Sequence, residues 1–151
     1  MFAKLKKLVN PGNYPRNIHL VLLILRLCVG IFMLTHGWGK FLKLIGDEPI
    51  KFADPIGIGA TASLTLAVFA EVVCSILLIA GVGTRLAAVP LLITMLVAAF
   101  IVHINDGFGK MELALIYSII YLVIALAGAG KYSLDNLIFK NVHHGNTTKR
   151  S

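Results

Sequence analysis

The sequence predicts an all-α integral membrane protein, built as a four-helix bundle with both termini in the cytoplasm. Three observations lead to this prediction: the composition, four apolar runs of membrane-spanning length, and the distribution of basic residues. Of the 151 residues, 58% are hydrophobic and only 14% are charged. Because a soluble domain usually carries about a quarter charged residues, this chain has too little polar surface to face water on all sides.

Each apolar run is close to the ~20 residues that a helix needs to cross hydrocarbon. Short turns at 81–85 and 104–110 join the later runs, which makes neighbouring helices antiparallel and favours a bundle. The sequence therefore predicts one four-span domain over residues 18–130. The four predicted spans cover residues 18–41, 60–80, 86–103 and 112–129.

The segments on either side of this domain are basic. Residues 1–17 place lysines beside apolar side chains, which is typical of a short amphipathic segment on an anionic membrane surface. Residues 131–151 are predicted to form a cytoplasmic tail, in which "SLDNLIF" begins with an N-cap serine and indicates a short surface helix. His143 and His144 lie in this tail, where solvated histidines are expected instead of a metal site.

The basic residues also predict the orientation. Nine lysines and arginines flank the two termini and the turn between spans two and three, whereas four lie on the opposite side. Since cytoplasmic segments carry the excess of basic residues, residues 42–59 and the 104–110 turn are expected to face outward. No aromatic-and-basic face typical of nucleic-acid binding is present. We therefore expect a multi-pass protein of the bacterial inner membrane, in contact with the lipid bilayer.

Two oppositely charged residues lie inside predicted spans. An ionisable side chain at mid-span costs about 2.5–3.5 kcal/mol on insertion scales, so a sequence that keeps one must pair it or use it. At 1.5 Å per residue, Arg26 lies ~12 Å and Glu71 ~14 Å from the cytoplasmic side. The matching depths predict an Arg26–Glu71 ion pair, either as a purely structural clamp or as the floor of a polar cavity.

The stretch "LTHGWGKF" gives the first span a small polar face in an otherwise aliphatic helix. Gly30 and Gly37 allow another backbone or a ligand to approach closely. Trp38 is typical of the aromatic belt at a membrane interface, and these three residues are candidates for cofactor binding. At 100° per residue, the face comprises Arg26, Gly30, Met33, Gly37 and Lys40, with His36 to one side.

Four polar residues from three spans are predicted to meet near the outer face, and they are the candidates for a catalytic role. His36 and Lys40 end the first span, His103 closes the third, and Glu112 opens the fourth. Singly, each has an ordinary interpretation as an interfacial histidine, a snorkelling lysine or a helix N-terminal acid. Together they predict a polar pocket that opens outward. No metal is expected, although His36, His103 and Glu112 are weak candidates for a mixed nitrogen–oxygen site.

Four stretches of the chain resemble the DoxX family of small four-span membrane proteins: "LRLCVGIFMLTHGWGKF", "EVVCSILLIAGVGTRLAA", "HINDGFGKMELALIY" and "GAGKYSLD". The resemblance covers nearly all of the chain from the first span onward. The matching positions are Arg26, Gly30, His36, Gly37, Lys40, Glu71, Gly81, Thr84, Arg85, His103, Gly107, Glu112, Ser133, Leu134 and Asp135.

The resemblance implies a link to redox systems, because family members are associated with quinone-linked oxidoreductases and with soluble thiol or superoxide-handling enzymes. The resemblance thus implies that the chain is an accessory protein of a redox membrane system or, at most, an oxidoreductase subunit. A quinone is then the candidate cofactor, and a periplasmic or membrane redox enzyme is the candidate partner. His36 or His103 would donate to the quinone, Lys40 would stabilise its reduced forms, and Glu112 would carry protons to water. The alternative is a non-enzymatic membrane anchor, assembly factor or small-solute carrier for a partner enzyme.

The two cysteines, Cys28 and Cys74, form no CxxC motif. Buried free thiols are expected, with a bridge between neighbouring helices as the alternative. Since haem-attachment and iron–sulfur spacings are also missing from the sequence, any electron carrier would be borrowed or bound non-covalently.

Overall fold

The computed structural model describes residues 10, 12, 14–138 and 140, and these residues contain four long helices and no strand. All four helices are long and apolar enough to cross a membrane, so the predicted all-α, four-span class is confirmed. Residues 1–9, 11 and 13 of the predicted basic segment at 1–17, together with His143 and His144, lie outside the described residues. The helices are α1 (Arg16–Ile45), α2 (Ala60–Ala80), α3 (Thr84–Val102) and α4 (Phe108–Ala127).

The largest differences from the predicted spans are in α1 and α4. α1 has 30 residues and at 1.5 Å per residue is about 45 Å long, so it extends beyond the ~30 Å hydrocarbon layer. α4 begins at Phe108, four residues before the predicted start, because Gly107 adopts a φ of +85° and ends the preceding turn. Glu112 therefore lies one turn inside α4.

The bundle has two chemically different ends. The terminus end holds the start of α1 and the end of α4, where the Tyr14 hydroxyl donates to the carbonyl of Ala127 at 3.2 Å. The loop end holds residues 46–59 and 103–107. Between them, α1 packs on α2 and α3 packs on α4. The interior is apolar, with contributions from all four helices that include Val29, Leu78, Leu91 and Ile124.

The outer surface of the bundle is covered by large aliphatic and aromatic side chains, as expected for helices in contact with lipid. On α1 alone, Leu20, Ile24 and Phe32 are all at least half exposed. Cys28 is also exposed, whereas Cys74 is buried in the apolar interior. Both thiols are free, so the alternative of a Cys28–Cys74 bridge is not formed.

The connection at residues 46–59 is attached to α2 at the loop end. Ile50 and Phe52 pack against buried apolar residues of α2. The Asp54 carboxylate accepts hydrogen bonds from the Ser63 hydroxyl at 2.7 Å and the Gly59 N–H at 2.8 Å. These bonds lower the pKa of Asp54 below its usual value. They tie Asp54 to the residue before α2 and to its first turn, and so fix the connection against the start of the helix.

At the terminus end, the residues after α4 cap α3. Residues 134–138 are helical, and the Ser133 hydroxyl accepts a hydrogen bond from the Asn136 N–H at 3.2 Å, which is the predicted N-cap. The buried Asp135 carboxylate accepts from the N–H groups of Gly83 at 2.7 Å and Thr84 at 3.0 Å. A carboxylate at these positions also complements the positive end of the α3 dipole.

Two arginines complete this set of contacts, which we name the terminal clasp (Arg26, Gly81, Arg85, Ser133 and Asp135). Arg85 donates to the last carbonyls of α4, at 2.6–3.2 Å. Arg26 is fully buried and donates to the carbonyls of Leu78 at 3.3 Å and Tyr132 at 2.6 Å. The clasp thus adds side-chain hydrogen bonds to the backbone groups of helix ends, where the regular helical partners are missing.

We expect Gly81→Ala to destabilise the protein more than Gly83→Ala. Both glycines have positive φ, +71° and +55°, but a Cβ at Gly81 would lie 2.1 Å from Arg26 Nη1, whereas a Cβ at Gly83 would meet nothing within 4 Å. Positive φ alone costs about 1–2 kcal/mol, and the overlap at Gly81 adds a further ~1–3 kcal/mol. Thermal unfolding of both variants in one detergent measures the difference, and equal melting temperatures would contradict the close packing of Arg26 on Gly81.

Candidate functional site: a polar cavity at the loop end

A cavity of about 160 Å³ lies between the four helices at the loop end. Its exposed or half-exposed rim residues, His36, His103 and Lys110, leave it open at this end. Apolar wall residues include Met33, Met95 and Leu113. The polar residues that line it are His36, Lys40, Glu71, His103, Lys110 and Tyr117.

Two π-helical turns, one in α2 and one in α3, present polar residues to this cavity. Glu71 lies within the turn Phe69–Cys74. His103 directly follows the turn Ala98–Val102, and its N–H donates to the carbonyl of Ala98 at 3.0 Å. A π-turn widens the helix locally and is frequent at functional sites in proteins. The backbone irregularities therefore coincide with the cavity.

The central contact of the cavity is an ion pair between Lys40 Nζ and Glu71 Oε1. The Glu71 side chain is only 2% exposed, whereas that of Lys40 is 32% exposed. Lys40 Nζ also lies 5.9 Å from the centre of the Phe52 ring, within range of a cation–π contact. The second carboxylate oxygen, Glu71 Oε2, is buried and has no hydrogen-bond partner among the described residues.

The predicted Arg26–Glu71 ion pair is wrong: among the described residues, Glu71 pairs with Lys40 and Arg26 binds backbone carbonyls. The reason is side-chain direction. Helical side chains point toward the N-terminus of their own helix, so on antiparallel helices the side chains of Arg26 and Glu71 diverge. Arg26 reaches Leu78, about 10 Å along α2 from Glu71. By the same rule, Lys40 and Glu71 point toward each other.

The turn between α3 and α4 forms an ionic rim. Asp106 Oδ2 lies 2.8 Å from His103 Nδ1 and 3.4 Å from Lys110 Nζ. The hydrogen bond from His103, and then the charge of Lys110, lower the pKa of Asp106 below its usual value. Because Asp106 stays ionised at neutral pH, it fixes both basic side chains at the mouth of the cavity.

Three aromatic rings lead from the cavity into the bundle. The His36 ring meets the Tyr117 ring edge-on, with centroids 6.2 Å apart, and Tyr117 stacks on Tyr121 at 6.0 Å. Tyr121 is fully buried, and its hydroxyl has no hydrogen-bond partner among the described residues. Two unsatisfied buried polar groups therefore occur in this part of the bundle.

Two predicted site residues point away from the cavity. Glu112 is exposed, because the cavity face of α4 carries Lys110, Ala114 and Tyr117, and a helix turns by about 100° per residue. Trp38 is 56% exposed and lies against Phe41, with ring centroids 5.5 Å apart. The predicted convergence thus holds for His36, Lys40 and His103 but fails for Glu112.

The two glycines considered as cofactor contacts serve helix packing. A Cβ at Gly30 would lie 2.5 Å from the Ile79 side chain, and one at Gly37 would lie 2.9 Å from Glu71 Cβ. Both glycines therefore let α1 approach α2 closely, and neither lines the cavity. The close approach at Gly37 brings the backbone of Glu71 against α1, one turn from Lys40.

The weak metal candidates are not brought together. His36 and His103 share the cavity, but Glu112 lies on another face of α4. In the part of the chain that the structure describes, no group of three or more His, Cys, Asp and Glu side chains is placed to hold a metal ion.

Sequence reasoning missed Tyr117 and the pairing of Glu71 with Lys40. Tyr117 lies seven residues after Lys110, two helical turns along the same face of α4, so its spacing was a usable signal. A larger depression of about 470 Å³ lies beside the connection after α1, lined by residues such as Lys43 and Lys51. None of the predicted site residues lines it, so the smaller cavity is the candidate site.

Comparison with known proteins gives the family. The model of the DoxX family matches residues 21–104. The chain belongs to the DoxX family. An uncharacterized protein of Haemophilus influenzae is 38% identical over 127 residues, covering 79% of this chain and 91% of its own length. No solved structure matches the chain.

Other relatives are named as membrane proteins or as an oxidoreductase. The membrane protein Rv3486 of Mycobacterium tuberculosis is 32% identical, covering 85% of this chain and 90% of its own length. The inner membrane protein YqjF of Escherichia coli is 27% identical, covering 78% and 92%. CatD of Bacillus subtilis, provisionally named an oxidoreductase, is 28% identical, covering 83% and 92%. With its four apolar helices, this DoxX protein is a multi-pass inner-membrane protein.

Nine of the fifteen residues that carried the DoxX resemblance form two groups in the structure. Arg26, Gly81, Arg85, Ser133 and Asp135 form the terminal clasp, described above. Lys40 and Glu71, with the two histidines, form the cavity at the other end. The family pattern therefore contains one set of residues for helix ends and another for the site.

We expect Lys40→Met to destabilise the protein more than Glu71→Gln. Removing Lys40 leaves a buried carboxylate without its cation, at a cost of about 3–5 kcal/mol. Removing the charge of Glu71 leaves a partly exposed lysine that still reaches water, which costs about 1 kcal/mol. Thermal unfolding in detergent measures both variants.

The double variant Lys40→Met/Glu71→Gln is the control. It should be more stable than Lys40→Met alone, because the unpaired charge is gone. If the two single effects simply add, with no coupling of about 0.5–3 kcal/mol, the two side chains do not form an ion pair in the protein.

Proposed function

We propose that this DoxX protein is an accessory or subunit of a quinone-linked redox system and that its loop-end cavity holds a quinone or quinol ring. The observation that carries the proposal is the buried Lys40–Glu71 pair within a cavity walled by methionine, leucine and tyrosine side chains. Polar groups of this kind inside a membrane bundle are costly to keep, and they mark functional sites.

The lining residues fit a single small ring. Lys40 Nζ and the imidazole N–H groups of His36 and His103 are hydrogen-bond donors for a carbonyl oxygen. Met33, Met95 and Tyr117 offer apolar and aromatic contact to the ring faces. A cavity of about 160 Å³ is smaller than the ~300–1,000 Å³ of a site for a drug-sized ligand, which suits a headgroup.

When bound, a quinone would supply two-electron, two-proton redox chemistry. The residues of this chain bind and orient the ring and hold protons nearby: histidine titrates near neutral pH, and His103 is hydrogen-bonded to Asp106. The provisional oxidoreductase name of CatD, a relative that this chain matches over 83% of its length, supports a redox role. A periplasmic or membrane redox enzyme is the proposed partner.

Both termini are proposed to lie in the cytoplasm, so that the cavity opens to the periplasm. In the sequence, nine basic residues flank the termini and the 81–85 turn, against four on the opposite side of the predicted spans, and this excess supports the orientation. A fluorescent protein fused after Ser151 should therefore mature and fluoresce in cells, whereas a periplasmic alkaline phosphatase at the same position should be inactive. The reverse pattern of activities would overturn the orientation.

If the loop-end cavity holds a quinone ring, the substitution Ala98→Phe should remove the quinone that copurifies with the protein. Ala98 lines the cavity, and a benzyl side chain there would fill the space available to a headgroup. Quinone would be extracted from protein that is purified in a mild detergent, then quantified by mass spectrometry. We expect wild-type protein to retain quinone in a fixed ratio and Ala98→Phe to lose at least about 90% of it, a tenfold loss that corresponds to ~1.4 kcal/mol.

Ile101→Phe is the matched control, because Ile101 lies in the same π-turn but is 47% exposed on the outer surface. It should leave the retained quinone unchanged. If wild-type protein holds no more quinone than the surrounding detergent, or if both variants retain it equally, the cavity is not a quinone site. The non-enzymatic anchor or assembly role would then be the better account of the protein.

A further inference from the structure

The unsatisfied carboxylate oxygen in the cavity restricts what can bind there. Glu71 Oε1 is paired with Lys40, but Oε2 is buried without a hydrogen-bond partner among the described residues. An ionised carboxylate can only accept hydrogen bonds. Seven buried side-chain polar atoms lack a partner among the described residues, and Glu71 Oε2 is the one on a residue that lines the cavity. A group that completes it there is a hydrogen-bond donor.

The charge of the surroundings restricts the donor further. Lys40 already compensates the charge of Glu71, and Lys110, His36 and His103 also line the cavity. The carboxylate on this rim, Asp106, is already shared between His103 and Lys110. Both carboxylates are thus already compensated, and no negative charge is left to hold an additional cation such as an ammonium group, which favours a neutral donor.

The walls favour a ring that carries this donor. Tyr117 presents its ring to the cavity between His36 and Tyr121, and Met33 lines the same space. A hydroxyl group donates hydrogen bonds, whereas a carbonyl oxygen only accepts them. A ring hydroxyl therefore matches the acceptor at Glu71 better than a ring carbonyl does.

From these contacts we infer that the cavity binds a hydroxylated aromatic ring, of the hydroquinone or phenol class, whose hydroxyl donates a hydrogen bond to Glu71 Oε2. This inference rests on the proposed ring site and adds the ligand selectivity of that site. The reduced ring, which bears a hydroxyl group, binds more tightly than a ring that can only accept hydrogen bonds. Glu71 is then the specificity-determining residue of the site. A site built to bind a hydroxyl rejects the analogue without it, because its own buried group is left unpaired.

The test is a series of three ligands of similar shape, measured on the full-length protein in detergent without oxygen. Hydroquinone and 4-methoxyphenol each carry a hydroxyl donor, whereas 1,4-dimethoxybenzene carries none. Equilibrium dialysis gives the dissociation constants. We expect the two hydroxyl compounds to bind within about threefold of each other, and the dimethoxy compound to bind at least about tenfold more weakly.

Two variants assign the preference to a residue. Glu71→Gln should reduce the preference for hydroxyl compounds to about threefold or less, because the charge-assisted acceptor is lost. Glu112→Gln, a change at an exposed carboxylate of the same end, should leave the preference intact. If Glu71→Gln does not fold, the wild-type ligand series still decides whether a hydroxyl is required.

The outcomes separate this inference from the proposed function. Equal binding of all three compounds would keep the ring site and overturn the hydroxyl requirement, leaving a water as the partner of Glu71 Oε2. Binding of none of them would overturn the ring site together with the inference. A hydroxyl preference that survives in Glu71→Gln would overturn the assignment to Glu71.

Discussion

A carboxylate that is almost fully buried in a membrane bundle stays charged only while a cation remains beside it, and the geometry of the loop end follows from this constraint. Glu71 is held by Lys40, and Gly37 lets the two helices approach closely enough for the pair to form. The π-turn around Glu71 adds a residue to α2 at this level. Replacing an ion pair of this kind by apolar side chains is often neutral or stabilising, so the pair is better explained by binding than by stability.

At the terminus end, the polar side chains have a different role. There, polar side chains complete the backbone hydrogen bonding of helix ends in a place where water is scarce. Arg85 binds the last carbonyls of α4, and Asp135 binds the first N–H groups of α3. Arg26 is buried but is satisfied largely by carbonyl groups. Each of these charges has a structural reason to be present, in contrast to the unsatisfied oxygen of Glu71.

Much of the fold could be predicted from the sequence, because helix length and apolar composition are set by the thickness of the bilayer. The second span was predicted with both of its ends, and the N-cap role of Ser133 follows from its residue type. The prediction of an Arg26–Glu71 ion pair was wrong because the depth of each charge was taken from its backbone position. The two side chains extend in opposite directions, since they lie on antiparallel helices. The prediction that Glu112 lines the cavity was wrong because α4 begins after Gly107, four residues earlier than predicted. A shift of a few residues changes the helix face on which a side chain lies. Neither π-turn has a recognisable sequence signal.

The two ends of the bundle use their polar side chains in different ways. The terminal clasp fixes the ends of α3 and α4 through hydrogen bonds to backbone groups, which needs no ligand, and Nε of both arginines stays without a partner among the described residues. The loop end instead concentrates histidine, lysine, tyrosine and glutamate side chains around open space, with its rim held by Asp106. Among the buried side-chain polar atoms that lack a partner in the described residues, Glu71 Oε2 is the one on a cavity-lining residue, so in the proposed ring site it is one half of a hydrogen bond that a ligand completes.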